Sequence, residues 1–202
     1  MNNNSEKKLE CLMEETCISS KENSIDLTQI RLRPFNLSDL DDLMVWKTDE
    51  KVDKFSFGEP YTSKEQGINF IENIAPKFQL CKAICLNDRA IGSILIYPSY
   101  DKSRNNSAEL GYVLGSKYWG KGITTCAVKQ FVKVVFSEFS HLERLEALVD
   151  VENVGSQRVL EKAGFQKEGV LRKYLIRKGK SRDTIMFSLL STDVSKIPSS
   201  IL

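Results

Sequence analysis

Gly120 and Gly122, with Lys121 between them and Trp119 ahead, are the residues whose types and spacing most directly imply chemistry. Glycine has no Cβ, so the main chain at these two positions can approach a ligand closely. The Ile123-Thr124-Thr125 run that follows opens a long amphipathic segment. The first N–H groups of a helix have no intrahelical acceptor and point outward along its axis. A glycine loop that feeds such a helix is built to hold an anion, and phosphate suits it best.

Strand, loop and helix must position these groups. Ala108 to Leu114 reads as a strand entering the loop. Beyond the loop, Ile123, Ala127, Phe131, Val134, Val135 and Phe139 fall on one helical face, and Lys129, Gln130, Lys133 and Glu138 on the other. Upstream, Ile30 to Arg33 alternates and stops at Pro34. Ser38 with Asp41 is a capping-box pattern for a helix through Trp46. Thr62 with Glu65 repeats it before Ile68, Ile71 and Ile74, closed at Pro76. Phe55, Phe57 and Tyr61 lie on the connection between these helices, where they either cap a core or wall a cleft. Phe78 to Leu86 and Arg89 to Tyr97 are strands on either side of the Asn87-Asp88 hairpin signal.

Past the central helix, Arg144 to Val149 reads as a strand, and Asn153 as the N-cap of a helix that Gly164 ends. Gln166 to Ile176 and Arg182 to Leu190 pair around Lys178-Gly179-Lys180. Strands follow one another as hairpins except across the central helix, which must join parallel neighbours. The fold class is therefore α/β of the α+β kind: a mixed, mostly antiparallel central sheet flanked by helices, with one parallel crossover.

A chain of 202 residues can bury one sizeable core. Residues 1–28 read as a flexible leader, helical around Leu9 to Glu15, residues 29–192 as one domain and residues 193–202 as a tail. A net charge of +2 is too small for bulk attraction to nucleic acid or a membrane, so neither is an expected partner. No apolar run approaches the roughly 18 residues of a membrane span, and no signal-peptide core follows the polar start. The expected location is the cytoplasm, with nuclear entry open. Cys11, Cys17, Cys81, Cys85 and Cys126 form no CxxC pair and His141 is the single histidine, so reduced thiols and no metal site are expected.

The loop supports three readings. Gly115 to Lys121 matches a nucleotide-binding P-loop until Gly122, where Ser or Thr would have to ligate magnesium. A dinucleotide fingerprint fails for want of a third glycine and of an acidic residue about 20 positions on. Trp119-Gly-Lys-Gly-Ile-Thr124, in contrast, resembles the pyrophosphate-binding loop of the GNAT superfamily of acyl-CoA N-acyltransferases. Asn153-Val-Gly-Ser156, followed by Gly164-Phe165, resembles that family's second block, in the right order and with a strand between. The resemblance spans about residues 30–190, and Trp119 with the Asn-x-x-Ser form points to the RimJ/RimL-like branch of ribosomal-protein N-terminal acetyltransferases. Trp119 stands in place of the usual Arg or Gln, and Thr124 in place of a final Gly or Ala. Leu160 occupies the position of a common catalytic tyrosine, and Tyr174, Leu175 and Ile176 stand where some relatives carry a carboxylate.

The resemblance implies acetyl-CoA as cosubstrate and an amine as acceptor: a protein N-terminus, a polyamine or another small amine. It places the pyrophosphate on amides of Gly120, Lys121, Gly122, Ile123, Thr124 and Thr125, beside Trp119. Asn153 would reach the pantetheine arm, and amides near Val113 and Leu114 would polarise the thioester. Lys117, Lys121, Arg158 and Lys162 are available for the phosphates of the adenosine end. An attacking amine must first lose a proton, for which Glu109 is the best-placed base; its other reading is an edge-facing glutamate paired with a lysine. Ser156 is a candidate CoA contact and acid, and Tyr174 a second acid or a core residue. Glu50, Asp53 and Glu59 are candidates for recognising a cationic acceptor or are solvated loop residues. Direct attack in a ternary complex is the expected mechanism. A CoA-binding module without turnover and a P-loop nucleotide hydrolase are the alternatives, and oligomeric state is left open.

Overall fold

Apolar alternation produces seven strands among the residues described by a computed structural model, 25–196 apart from 57 and 100. They are β1 (Ile30–Arg33), β2 (Leu80–Leu86), β3 (Arg89–Pro98), β4 (Ser107–Leu114), β5 (Arg144–Asp150), β6 (Gln166–Arg177) and β7 (Lys180–Leu190). The helices are α1 (Leu40–Lys47), α2 (Glu50–Asp53), α3 (Lys64–Asn69), α4 (Ile123–Glu138) and α5 (Val154–Ala163). The strands form a single sheet in the order β1-β2-β3-β4-β5-β7-β6. Every pairing is antiparallel except β4 with β5, the two strands that α4 joins.

Opposite faces of the sheet carry different helices. Ile84 of β2 points into the main core with α4 and α5, while its neighbours Ala83 and Cys85 join α1 and Phe70 and Ile71, just beyond α3. Asn87 and Asp88 both have positive φ, 50° and 65°, as a tight two-residue hairpin requires. Gly92 of β3 lies opposite Leu114, and a Cβ there would stand 2.2 Å from the Val113 carbonyl. Gly92→Ala is therefore expected to push β4 out of register and destabilise the fold by about 1–3 kcal/mol, read as a lower denaturant midpoint.

Several local expectations shift. The first cap is Asn36, not Ser38: its side chain accepts from the Ser38 amide, and Asp39 reciprocates on the Asn36 amide at 3.0 Å. Asp39 is held there because it also forms a two-point pair with Arg33 at the end of β1. The second cap is Ser63 with Gln66, whose oxygen accepts from the Thr62 and Ser63 amides. α3 then widens into a π turn over Phe70–Ile74 before the turn that contains Pro76. On α4, Val134 is exposed, and Cys126, Val128 and Val132 are buried in its place, because the helix meets both the sheet and the flank of α5. Ile25 and Leu27, assigned to the leader, and Val194, assigned to the tail, pack against the main core. The expected helix around Leu9 lies outside the described residues.

The consequential feature is where β4 and β5 part. They pair only at Ser107↔Arg144, Ala108↔Leu145 and Glu109↔Glu146. β4 stays with β3 as far as Leu114, and β5 stays with β7 as far as Asp150. Beyond Glu109 the sheet therefore opens into a V, with an edge of main-chain donors and acceptors on each side.

Candidate active site

The open V is the seat of a cleft of about 690 Å³, lined on one side by Glu109, Tyr112 and Val113 and on the other by Ala147 to Asp150. A second cavity of about 360 Å³ runs between Trp119, Gly120 and Thr124 and the start of α5. The two meet at Phe55, Ser56, Tyr112, Val113, Asn153 and Ser156.

The glycine loop takes the shape its sequence implies. Gly120 and Gly122 have φ of 74° and 77°, the left-handed region that glycine enters without steric cost. The first bond of α4 runs from the Cys126 amide to the Gly122 carbonyl, and no side chain of the described residues caps the helix. The amides of Ile123, Thr124 and Thr125 are thus left over at a positive helix end. The Ile123 side chain is buried in the core, so its part in the loop is the amide alone. Trp119 folds back so that its indole N–H donates to the Leu114 carbonyl at 2.7 Å, fixing the loop against β4.

The Leu114 main chain faces the opening. The Gly115 amide bonds the Ile91 carbonyl on the β3 side, so the Leu114 carbonyl, in the same peptide, points the other way. In an extended strand a residue's N–H and C=O share a side, so the Leu114 amide also faces the cleft. The Val113 amide does not. Its peptide is turned to β3, where the Val113 carbonyl abuts Gly92, and only its side chain lines the cavities. Val113 is thereby corrected from amide donor to wall.

At the start of α5, Asn153 caps the helix by accepting from the Ser156 amide at 3.1 Å. That leaves the Asn153 NH₂ and the Ser156 hydroxyl for other partners. The hydroxyl takes one at once: Tyr112 Oη lies 2.6 Å from Ser156 Oγ, with either atom as donor. Burial pushes the Tyr112 phenol well above its ordinary value, partly offset by the Ser156 hydrogen bond, so the phenol stays protonated. Leu160 is fully buried and carries no proton to give.

Glu109 faces Glu146 across the last paired rung of the V. Glu146 is neutralised by Arg104 and by Arg144 at 2.8 Å, and Arg144 continues to Glu168. The Arg144 guanidinium, with the Ser188 hydroxyl, holds Glu168 down to about 2. Glu109 makes no salt bridge among the described residues, and burial, then repulsion from Glu146, raises its pKa. Deeper in the wall, Asp150 and Arg177 form a buried pair at 2.9 Å.

Tyr174 does not pack in the core. β6 carries two extra residues between Leu171 and Leu175, and Lys173 adopts a φ of 49° while its amide bonds Asp183. This bulge lifts Tyr174 onto the cleft rim, 53% exposed. Lys162 sits on the last turn of α5, beside a separate depression shared with Asp193 and Lys196. Asp53 is occupied by Lys178 of the β6–β7 turn, a tie that straps α2 to the far half of the sheet. Phe55 and Tyr61 line the cleft, as one of the two expectations for them required.

Sequence reasoning missed Tyr112 and Lys47. Lys47 ends α1, and its ammonium lies 4.9 Å from the Tyr61 ring centre and 5.2 Å from that of Phe70. Burial depresses its pKa. Hydroxyl and amine at these positions have signals only once β4 and α1 are known to border one cleft. Among the described residues no cluster of three or more His, Cys, Asp or Glu is placed to hold a metal. No helix among them is long and apolar enough to cross a membrane.

Comparison with known proteins matches this arrangement. Residues 29–166 fit the model of the acetyltransferase (GNAT) domain. The chain is 34% identical over 173 residues to the uncharacterized N-acetyltransferase p20 of Bacillus licheniformis, covering 82% of this chain and 94% of that one. It is 32% identical over 84 residues to the [ribosomal protein uS5]-alanine N-acetyltransferase of Escherichia coli, covering 42% of this chain and 43% of that one. The crystal structure of a GNAT-family acetyltransferase from Bacillus anthracis superposes with a TM-score of 0.70 at 26% identity, covering 80% of this chain and 95% of that one.

Proposed function

The chain belongs to the GNAT family of acetyltransferases, and from that premise we propose that it moves the acetyl group of acetyl-CoA to a primary amine by direct attack in a ternary complex. The observation that carries this reading is the V between β4 and β5, with an anion-binding loop at its open end and a desolvated carboxylate at its apex.

In this reading the diphosphate rests on the amides from Gly120 to Thr125, and the pantetheine lies in the smaller cavity against Asn153. The residues present suit such a group: positive-φ glycines, uncapped amides and the carboxamide NH₂ that the Asn153 cap leaves over. The Leu114 amide donates a hydrogen bond to the thioester oxygen as negative charge develops there. Glu109 takes a proton from the acceptor ammonium, and the amine nitrogen bonds the acetyl carbon. The C–S bond breaks with its electron pair leaving on sulfur, and the nitrogen's second proton passes to water. With Tyr112 taken as the donor of its pair with Ser156, the serine proton is left to face the departing sulfur. A phenol raised by burial is a poorer acid than a thiol, so these hydroxyls stabilise the thiolate by hydrogen bonding, and the sulfur is protonated from water on release.

Thiol release from acetyl-CoA against a panel of peptides, amino acids, polyamines and amino sugars tests the reading. Turnover with at least one amine is expected. Ser156→Ala and Tyr112→Phe are each expected to lower kcat by about tenfold or more with little change in KM for acetyl-CoA. Measurable acetyl-CoA binding with silence across the panel would replace the enzyme with a binding module.

A further inference from the structure

We propose that Lys47 is the anion-recognition residue of the acceptor cleft, so that the amine acetylated here also carries a carboxylate or phosphate group. The proposal rests on the acetyl-transfer reading above and deepens it. Its first support is the charge inventory of the cleft. Glu146 is paired with Arg104 and Arg144, and Asp150 with Arg177. Asp101 is exposed and bonds within its own turn to Ser103. Apart from the exposed Asp101, Glu109 and Lys47 are the cleft-lining charges that make no salt bridge among the described residues.

A desolvated ammonium without a counter-ion is costly. The faces of Tyr61 and Phe70 return part of that cost, with the ammonium 4.9 and 5.2 Å from the two ring centres. They supply no anion. An arrangement of this kind is completed by one brought from outside, and the opening beside it is the acceptor's.

The second support is the order of residues along the wall. Glu109 is the cross-strand partner of Tyr97. Tyr97 meets Phe78 edge to face, with ring centres 5.1 Å apart. Phe78 packs into the same small cluster as Tyr61 and Phe70, over which Lys47 lies. A carboxylate thus stands at one end of an aromatic wall and an ammonium at the other. The complementary acceptor presents its amine to Glu109, an apolar or aromatic body to the wall, and an anion to Lys47. A polyamine fits poorly, because its second ammonium would be brought against the lysine.

The test compares apolar amino acids and aminoalkyl phosphates with the matching neutral amides and with spermidine, using thiol release. The anionic acceptors are expected to show kcat/KM about tenfold or more above the amides, with spermidine below both. The carboxylate and phosphate arms tell which anion is preferred. Lys47→Gln is expected to raise KM for the anionic acceptor about tenfold or more, with kcat and the constants for the amide and for acetyl-CoA nearly unchanged. Lys47→Arg should restore part of the loss, and Lys47→Met, which keeps the apolar stem, should not. Equal use of acid and amide by the natural enzyme, a preference for spermidine, or a uniform loss over all acceptors in Lys47→Gln would overturn the assignment. Calorimetry of the N-acetylated acid and amide against the CoA-loaded protein separates this from failure of the transfer reading. If every amine is silent, tighter binding of the acid that disappears in Lys47→Gln still upholds Lys47, and equal binding removes it.

Discussion

Replacing Glu109 by glutamine is expected to lower kcat about a hundredfold or more at neutral pH, while acetyl-CoA affinity measured by calorimetry stays the same. The amide keeps the shape of the carboxylate but cannot take the ammonium proton, and Glu109 lies on β4 at the apex of the V, away from the glycine loop. Its raised pKa makes it a stronger base than an ordinary glutamate and moves the acidic limb of the rate profile upward. Glu146→Gln removes the second cause of that shift, so the limb should move to lower pH.

The same residue gives a stability signature of opposite sign. A carboxyl whose folded pKa exceeds its unfolded value binds its proton more tightly in the fold, so stability falls as pH rises between the two values. Below the unfolded value the penalty is absent, and above the folded value it is complete. Glu109→Gln should therefore raise Tm at neutral pH and lose that advantage in acid, a gain in stability bought with activity. An inactive variant with an unchanged or lower Tm at neutral pH would point to a structural role for Glu109.

Gly122→Asp is expected to weaken acetyl-CoA binding by about tenfold or more, measured by calorimetry, in a protein that still folds. At a φ of 77° any side chain costs roughly 1–2 kcal/mol, although Asp and Asn tolerate this region better than other residues. Space is not the obstacle, since the nearest heavy atom to an added Cβ is Leu27 Cδ1 at an ordinary 3.6 Å. The carboxylate would sit beside the uncapped amides on which the proposed reading rests the diphosphate. Gly122→Asn carries the same backbone strain without the charge, so a much smaller loss in Asn than in Asp isolates the electrostatic effect. Equal losses would assign the defect to loop conformation, and no loss in either would remove the loop from the site.

The glycine loop and the cap of α5 were more legible in the sequence than the side chains that wall the larger cleft, for a physical reason. Backbone recognition needs glycines at fixed spacing and a helix start, and Gly120, Gly122 and Asn153 announce both within a few residues. Side-chain recognition is assembled from distant segments: Lys47 is 62 positions from Glu109 in sequence, and nothing local in α1 marks a lysine that will lie beneath two rings. Tyr112 lies within a strand sequence that gives it no signal of its own, and only α5, by bringing Ser156 to its hydroxyl, marks it. Val113 was misjudged because the direction of a peptide depends on strand pairing, which composition does not reveal. The cap positions moved by one or two residues for a related reason: Asp39 answers to Arg33 as well as to its own helix.

The two cavities share Phe55, Ser56, Tyr112, Val113, Asn153 and Ser156 as common walls and are otherwise lined by different residues. On the proposed transfer reading, the spent coenzyme would back out of the smaller cavity and the acylated product out of the larger. Neither departure would have to wait for the other, and product-inhibition kinetics without a compulsory exit order are then expected.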